Sequence, residues 1–290
     1  MLQKNIKKRK CKFKNIKINK ENMDIVQNLC YYFNEINYEK SGFLDPSVDI
    51  TYIIHLDGNG RINNIKNQLN KFIPTKKVII LYNKGYKCKN NPNINNSSKD
   101  LIDCYLEIFK HSAKHNHNNI LILEDDFIFS DDILSIDLHD LNLFILNKKE
   151  DKCVYLLGSL PFILIPYEKN HYLNILSLGT HSVIYTRKIR EEIISQNQYE
   201  IVDWDKEILS KKRFCYYKTL CYQLFPETEN SKEWFEYGHL TLLKFILKKL
   251  ELDKKVEPGY SNCLLFSKYS LLIIILIIVV TISSKFIKFD

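Results

Sequence analysis

The chain has 290 residues, of which 45% are hydrophobic and 26% are charged, and its formal net charge is +8. These values are typical of a globular protein with one large or two small domains and exclude a wholly disordered or fibrous chain. The charge is concentrated in residues 1–20, which hold nine Lys or Arg and no acid, so that 33 of the 42 basic groups remain against 34 acidic ones. A basic nucleic-acid-binding face is therefore excluded for the body of the chain.

Residues 1–44 are predicted to form a basic, partly disordered N-terminal arm. It is either a solvated tail or a contact for anionic lipid or RNA, and we expect no specific nucleic-acid partner. Within the arm, MDIVQNLCYYF (23–33) has the pattern of a short helix. The eight cysteines show no Cys-x-x-Cys pair and no zinc-ligand spacing. They are predicted to be reduced and mostly buried, as in a cytosolic protein.

From Ile50 onwards the chain alternates between strand and helix patterns. The segments are, in order, a strand at Ile50–Leu56, a helix over 62–73, a strand over 77–82, a helix over 101–113 after an N-cap pattern at 97–100, and a strand at Ile120–Leu123; beyond them come strands within 153–160 and 176–186 and a helix over 187–196. This alternation predicts an α/β domain with a mostly parallel sheet, which we assign to residues 45–235.

Three adjacent carboxylates, Glu124, Asp125 and Asp126, stand between the apolar segments ILIL and FIF. They repel one another, and none of them favours a strand. Ligands of open parallel sheets bind at the carboxyl ends of strands, where carboxylates bind Mg²⁺ or Mn²⁺. Such an ion would remove the repulsion and could hold a diphosphate. The alternative is an exposed strand end without a ligand.

The C-terminal region is apolar. Residues 236–262 are predicted to form an amphipathic helix or linker, and residues 263–284 a single-pass membrane anchor. Its uncharged core, YSLLIIILIIVVTIS, has 15 residues where about 20 are needed, and the preceding CLLFSK supplies the rest if Lys268 snorkels. A buried core helix is the alternative. Because the apolar run ends close to the last residue and no signal-like segment precedes it, we expect the body of the chain to stay cytosolic.

Five segments between Ile50 and Trp234 resemble, in the same order, the motifs of family 25 glycosyltransferases, the lipooligosaccharide and collagen galactosyltransferase type. The likeness is greatest to divergent members from large DNA viruses. The segments are IIHLDGNGR (53–61), LILEDD (121–126), GTHSVIY (179–185), VDWD (202–205) and QLFPETENSKEW (223–234). The chain departs from the family in lacking Ser-His on the middle helix, where Asp103-Cys104-Tyr105 stands, and in having His55 in place of an Asn.

The resemblance implies a GT-A fold, a Rossmann-like sheet flanked by helices, to which the C-terminal apolar helix is added. It also implies an inverting enzyme that uses Mn²⁺ or Mg²⁺ and a nucleotide sugar, with a UDP-sugar as the expected donor. Asp125 and Asp126 would bind the metal and diphosphate, and Glu124 would face the ribose or orient its neighbours. The loop from Asp57 to Arg61 would contact the nucleotide, and a plain turn is its alternative.

His181 is expected to bind the metal or lie against the sugar, unless its role is structural. Asp203 and Asp205 flank Trp204, which is expected to offer a stacking surface for a sugar. One of the two carboxylates should deprotonate the acceptor hydroxyl, although both could instead cap a helix. Glu229 is a weaker candidate for this base.

These features predict a membrane-tethered, metal-dependent glycosyltransferase that moves a hexose from a nucleotide sugar to a protein or glycan hydroxyl. Two alternatives remain. One is a catalytically inactive GT-A-like binding protein held at a membrane. The other is a metal-dependent nucleotidyl- or phosphoryl-transferase, although the sequence lacks the Gly-x-x-x-x-Gly-Lys loop of P-loop enzymes.

Overall fold

The computed structural model describes residues 30–197, 200–225, 245 and 247–287. The strands within them are β1 (Tyr31–Asn37), β2 (Ile50–Leu56), β3 (Lys77–Asn83), β4 (Ile120–Glu124), β5 (Phe127–Phe129), β6 (Cys153–Leu156), β7 (Leu160–Glu168), β8 (His171–Leu178), β9 (Ser182–Tyr185), β10 (Lys212–Tyr216) and β11 (Cys221–Gln223). The helices are α1 (Ile62–Lys71), α2 (Ser97–Lys114), α3 (Ser135–Lys148), α4 (Arg187–Ser195), α5 (Trp204–Leu209) and α6 (Gly259–Ile287), and a 3₁₀ turn spans Tyr86–Cys88.

The large sheet has the strand order β1-β3-β2-β4-β9-β6-β10-β8-β7, while β5 and β11 pair separately. At its centre β3, β2 and β4 are parallel, and β6 is parallel to β10. The other neighbours in the sheet are antiparallel. The predicted α/β fold, a Rossmann-like sheet flanked by helices with a C-terminal apolar helix, is confirmed, and around its parallel centre the sheet is mixed.

The three central strands read as continuous apolar runs because helices cover both faces of the sheet. On one face α2 packs with α4 and α5 through residues such as Tyr105, Phe109 and Ile189. On the other face α1 and α3 contribute Ile65, Leu69 and Phe144. Helix α2 begins after Asn96, whose side chain accepts a hydrogen bond from the Lys99 amide.

The predicted helix within residues 23–33 is wrong for its last three residues. Tyr31, Tyr32 and Phe33 belong to β1, which pairs antiparallel with β3. The ring of Tyr32 stacks on that of Tyr82, with 4.4 Å between the centroids. The neighbouring strand supplies hydrogen bonds and ring contacts that a local apolar pattern does not reveal. The sheet therefore begins inside the predicted arm, and residues 1–29 of that arm lie outside the described residues.

The prediction that all cysteines are reduced is also wrong. Cys30 and Cys88 form a disulfide that joins the start of β1 to the 3₁₀ turn, with their Cα atoms 5.6 Å apart. The other described cysteines are free and buried. Disulfides persist in oxidising compartments, so this bond opposes the expected cytosolic location.

Helix α6 has two parts. Its first three turns pack against the domain through a buried stripe with heptad-like spacing, Tyr260, Cys263, Ser267 and Ser270. The Ser270 hydroxyl donates to the Phe162 carbonyl at 2.7 Å, which covers the edge strand β7. The side chains described beyond residue 271 are exposed. By length and composition Gly259–Ser283 could cross a membrane, with a mean hydropathy of 2.7.

Candidate functional site

The acidic triplet lies at the end of β4. Glu124 is the last residue of this strand, and Asp125 and Asp126 form the turn into β5. Strand β2 runs parallel to β4, and the antiparallel strand β9 begins beside Leu123. The carboxyl ends of β2 and β4 thus meet the amino end of β9 at one edge, which we call the carboxyl edge. Open parallel sheets bind their ligands there.

Asp125 is surrounded by hydrogen-bond donors. Its Oδ2 accepts from the Leu56 amide at 3.2 Å and from Asn59 Nδ2 at 2.6 Å, and it lies 3.0 Å from His55 Nδ1. Its Oδ1 accepts from Arg61 Nη1 at 2.7 Å. Burial alone would raise the pKa of Asp125, but the bonds from His55 and Arg61 lower it below its usual range. Asp125 is therefore an ionised hub that fixes the β2–α1 loop to β4.

Asp126 is less completely paired. Its Oδ2 accepts from Gln223 Nε2 at 3.0 Å and from Arg61 Nη1 at 3.2 Å. Its Oδ1 is buried and has no hydrogen-bond partner among the described residues. Burial raises the pKa of Asp126 despite the bond from Gln223. A buried acceptor without a partner is costly, so this oxygen is suited to a ligand from outside the chain.

Glu124 is hydrogen-bonded to Tyr105 of α2. The Tyr105 hydroxyl lies 2.8 Å from Glu124 Oε1 and 3.1 Å from the Thr180 carbonyl oxygen. A tyrosine hydroxyl carries one proton, so both contacts are hydrogen bonds only when Glu124 is itself protonated. Burial, and then the charge of Asp126, raise the pKa of Glu124, in agreement with this arrangement.

The two candidate bases have different surroundings. Asp203 is the N-cap of α5, and its Oδ1 accepts from the Lys206 amide at 3.0 Å. Asp205 Oδ1 accepts from the Thr180 hydroxyl at 2.7 Å, and burial raises the pKa of Asp205 to about 6. Thr180 thus touches both Asp205, through its hydroxyl, and the Glu124 network, through its carbonyl. Asp205 faces the carboxyl edge and Asp203 caps a helix.

The expectation that Trp204 offers a sugar-stacking surface is wrong. Only 3% of Trp204 is exposed, and its ring stacks on that of Tyr105 with 4.2 Å between the centroids. Its Nε1 donates to the Tyr185 hydroxyl at 3.2 Å. Trp204 therefore anchors α5 to the core. Glu229, the third candidate base, lies outside the described residues.

His181 lies in the wall of the site, with no exposed surface. Its Nε2 is 3.1 Å from the Cys221 carbonyl oxygen, and its buried Nδ1 has no hydrogen-bond partner within the described part of the chain. Burial lowers the pKa of His181 to about 4, so the ring is neutral at physiological pH. A Cβ at Gly158 would lie 1.6 Å from the Cys221 carbonyl oxygen and 2.8 Å from His181 Nε2, so glycine is required for this close packing.

In the loop from Asp57 to Arg61, residues 57–60 are exposed and Arg61 is half-buried. Gly58 and Gly60 have φ angles of 80° and 78°, which favour glycine, and the Asp57 amide donates to the Asn83 carbonyl at 2.8 Å. Arg61 turns back from the loop onto Asp125 and Asp126. The sequence did not indicate that Arg61 bridges the two carboxylates.

Five further residues complete the network and were not predicted as site residues: His55, Asn59, Tyr105, Thr180 and Gln223. Thr180 and Gln223 stand within the segments that carried the family resemblance, and Asn59 lies in the predicted nucleotide loop. Tyr105 had no such signal. A tyrosine on a helix face is ordinarily a core residue, and its hydroxyl becomes informative only when its neighbours are known.

The described residues contain no group of three or more His, Cys, Asp or Glu arranged to hold a metal ion. Mg²⁺-type sites, however, need only one or two carboxylates, because substrate phosphates and water supply the other ligands. The unpartnered Asp126 Oδ1 fits that requirement, and Glu124 would become a second ligand on losing the proton that it carries in the Tyr105 network. Both Asp125 oxygens are already engaged by Arg61 and the β2–α1 loop, so the geometry suits Asp125 to positioning better than to the metal binding predicted for it.

The fold and this edge define an α/β protein with a Rossmann-like sheet and a polar site at its carboxyl ends. Among solved structures the chain is similar to A197 from STIV, with 14% identity over 61% of this chain and 85% of that one and a TM-score of 0.36. It is also similar to a glycosyltransferase involved in the glycosylation of the major capsid of PBCV-1, with 7% identity over 58% and 83% of the two chains and a TM-score of 0.31. An apo UDP-glucose pyrophosphorylase gives 12% identity, 55% and 62% coverage, and a TM-score of 0.25.

Values at this level describe a distant likeness in the arrangement of strands and helices and carry no information about chemistry. No family model matches the chain. A search of curated proteins likewise gives no match. The resemblance to family 25 therefore stays a prediction.

Proposed function

We propose that this protein is a membrane-tethered, metal-dependent glycosyltransferase that moves a hexose from a nucleotide-diphosphate sugar to a hydroxyl of a protein or glycan. The observation that carries the proposal is the buried, unpartnered Asp126 Oδ1 at the carboxyl edge, beside the Glu124 carboxyl. Arg61 and Gln223 engage only Asp126 Oδ2, so Oδ1 is left for a ligand. The exposed apolar half of α6 supports the tether.

The side chains around Asp126 would have different roles in binding the donor. Asp126, with Glu124 beside it, would hold Mn²⁺ or Mg²⁺, and that ion would neutralise the charge that develops on the diphosphate as it leaves. Asp125 keeps Arg61 and the glycine-containing loop in place. The guanidinium of Arg61 then lies where it can approach the diphosphate, and Asp57 and Asn59 border the nucleotide.

Asp205 is proposed as the base. With a pKa of about 6 it is mostly ionised at neutral pH, yet it is basic enough to accept a proton from an acceptor hydroxyl as that oxygen attacks the sugar. In this step the new bond to the anomeric carbon forms, the bond from that carbon to the diphosphate oxygen breaks, and the hydroxyl proton passes to Asp205. The Thr180 hydroxyl orients the carboxylate.

The experiment is a panel of nucleotide sugars, with UDP-sugars first, incubated with the full chain in detergent and Mn²⁺. Release of the nucleoside diphosphate is measured with and without a chelator. We expect metal-dependent release with one donor. Asp131→Asn is the matched control, because Asp131 is five residues from Asp126 and its side chain is 81% exposed.

Other outcomes would replace the proposal. Release of pyrophosphate from a nucleoside triphosphate and a sugar phosphate would identify a nucleotidyl-transferase. Binding of a nucleotide sugar without any release, in the presence of acceptor candidates, would identify an inactive binding protein.

A further inference from the structure

Helix α6 is joined to the candidate site at its first turn. The buried Tyr260 hydroxyl donates to the Gln223 carbonyl and accepts from the Gln223 amide, both at 3.1 Å. The side chain of Gln223 donates to Asp126. Two residues therefore connect α6 to the acidic triplet, so α6 is packed onto the domain from its first turn.

The apolar part of α6 that projects beyond the domain is too short to cross a bilayer. Ser270 is the last residue of the buried stripe, and the apolar run ends near Ser283. Thirteen residues at 1.5 Å each span about 20 Å, against a hydrocarbon core of about 30 Å. The shortfall of about 10 Å corresponds to six or seven residues, so a spanning helix would have to begin near Leu264.

Residues 264–270 already belong to the packed part of α6, but their outward face is apolar. Leu265, Phe266 and Tyr269 are each more than half exposed, although the opposite side of the same turns is buried against the domain. Lys268 does not need to snorkel as predicted. Its Nζ donates to the Tyr217 carbonyl at 3.1 Å and lies 5.6 Å from the centre of the Tyr172 ring.

We propose that the face of α6 formed by Leu265, Phe266 and Tyr269 is embedded in the lipid bilayer, so that the catalytic domain rests on the membrane surface at a fixed height. Lipid is favoured over the helix of a second copy because close helix pairs in membranes use small residues, and this face has large ones. Aromatic residues such as Phe266 and Tyr269 also suit the boundary between headgroups and acyl chains. This inference rests on the membrane tether of the proposed function and specifies its geometry.

The test is tryptophan quenching by brominated phospholipids in liposomes that contain the full chain. Phe266→Trp reports on the proposed contact, Leu276→Trp on the middle of the helix, and Tyr32→Trp on β1, at the opposite end of the strand order from the edge that α6 covers. All three native side chains are exposed, so each substitution is tolerated by the fold, and the emission of the parent chain is subtracted.

We expect bromines near the headgroups to quench Phe266→Trp, bromines deep in the acyl chains to quench Leu276→Trp, and neither to quench Tyr32→Trp. If Leu276→Trp is quenched while Phe266→Trp keeps its full emission, the tether stands and the embedded face is refuted. A crosslinked dimer through residue 266 would then assign that face to a second copy. If the protein does not float with liposomes, or Leu276→Trp is not quenched, the tether itself fails and the embedded face fails with it.

Discussion

Two of the regions that bury acidic side chains in the described part of the chain treat the charge differently. Under β1, the Lys89 ammonium group contacts Asp100, Asp103 and the Tyr31 hydroxyl, and only 2% of the lysine side chain is exposed. Asn83 Nδ2 donates to the other oxygen of Asp100 at 2.6 Å. At the carboxyl edge, Asp125 is similarly satisfied, but Asp126 Oδ1 has no hydrogen-bond partner in the part of the chain that is described.

The difference lies in the counterion. Asp100 Oδ1 also accepts no hydrogen bond but lies against Lys89 Nζ, whereas Asp126 Oδ1 has no cation beside it among the described residues. A cluster that only supports the fold neutralises itself, since an uncompensated buried charge would cost several kcal/mol. The Lys89 cluster meets this condition and the carboxyl edge does not. The raised pKa values of Glu124 and Asp126 express the same imbalance, which an external cation would relieve.

The largest effect on activity is expected for Asp126→Asn. We expect this variant to lose donor turnover and Mn²⁺ dependence, because the proposed metal loses its main oxygen ligand. Its apo form should remain folded, since the change removes one of three crowded carboxylates. Thermal unfolding with and without Mn²⁺ separates the two effects, and Asp131→Asn serves as the control. Wild-type turnover in Asp126→Asn would show that the triplet is structural.

Asp205→Asn should lower the rate by roughly 10²- to 10⁴-fold with donor affinity preserved, because it removes the proposed base. Asp203→Asn is the matched variant. Asparagine caps helices as well as aspartate does, so this change should have little effect on rate or stability. Single-turnover kinetics on both variants measure the contrast. Equal and small losses in the two would move the base elsewhere, with Glu229 the next candidate.

Lys89→Met should destabilise the fold by about 3–5 kcal/mol, because it leaves Asp100 and Asp103 buried without their counterion. The neighbouring Lys87→Met is the control. Lys87 belongs to the same turn, whose residues are not buried in the way that Lys89 is. Denaturant unfolding followed by circular dichroism gives both values. Similar free energies of unfolding for the two variants would contradict the view that the Lys89 cluster is closed and structural.

The disulfide beside the Lys89 cluster should also stabilise the fold. Replacing Cys30 and Cys88 together by serine is expected to cost about 2–4 kcal/mol, a typical value for a native disulfide. Thiol labelling of the unreduced, denatured chain should find six reactive cysteines of the eight. Eight labelled cysteines in protein taken directly from its host would support the cytosolic location predicted from the sequence.

The smallest effect concerns pH. Because burial raises the pKa of Asp205 from 3.8 to about 6, the folded chain binds this proton more tightly than the unfolded chain. The resulting stability is fully present below about pH 4 and is lost as the pH rises through 6, by about 1–3 kcal/mol. Unfolding of the parent and of Asp205→Asn between pH 4 and 7 tests this. An unchanged pH slope in the variant would contradict the assigned burial of Asp205.

Much of the fold followed from local patterns. The strands at Ile50–Leu56 and Ile120–Leu123 and the helix after Asn96 lie where the apolar periodicity placed them. Strand β1 was missed because its pairing with β3 joins residues 40 to 52 positions apart, and no local pattern reports such a pairing. Trp204 was misread for a similar reason, since the Tyr105 ring that covers it comes from another helix.

The sequence by itself determined the alternation of strands and helices, the position of the triplet between β4 and β5, and the presence of a long apolar helix. These properties depend on residue spacing within short segments, where hydrophobic burial sets the period. Only the tertiary structure decided which oxygen of the triplet is unpartnered. Arg61, 65 residues before Asp126, and Gln223, 97 residues after it, both bind Asp126 Oδ2 and leave Oδ1 without a partner among the described residues. The joining of α6 to the site through Tyr260 was decided in the same way, by contacts between side chains that only folding brings together.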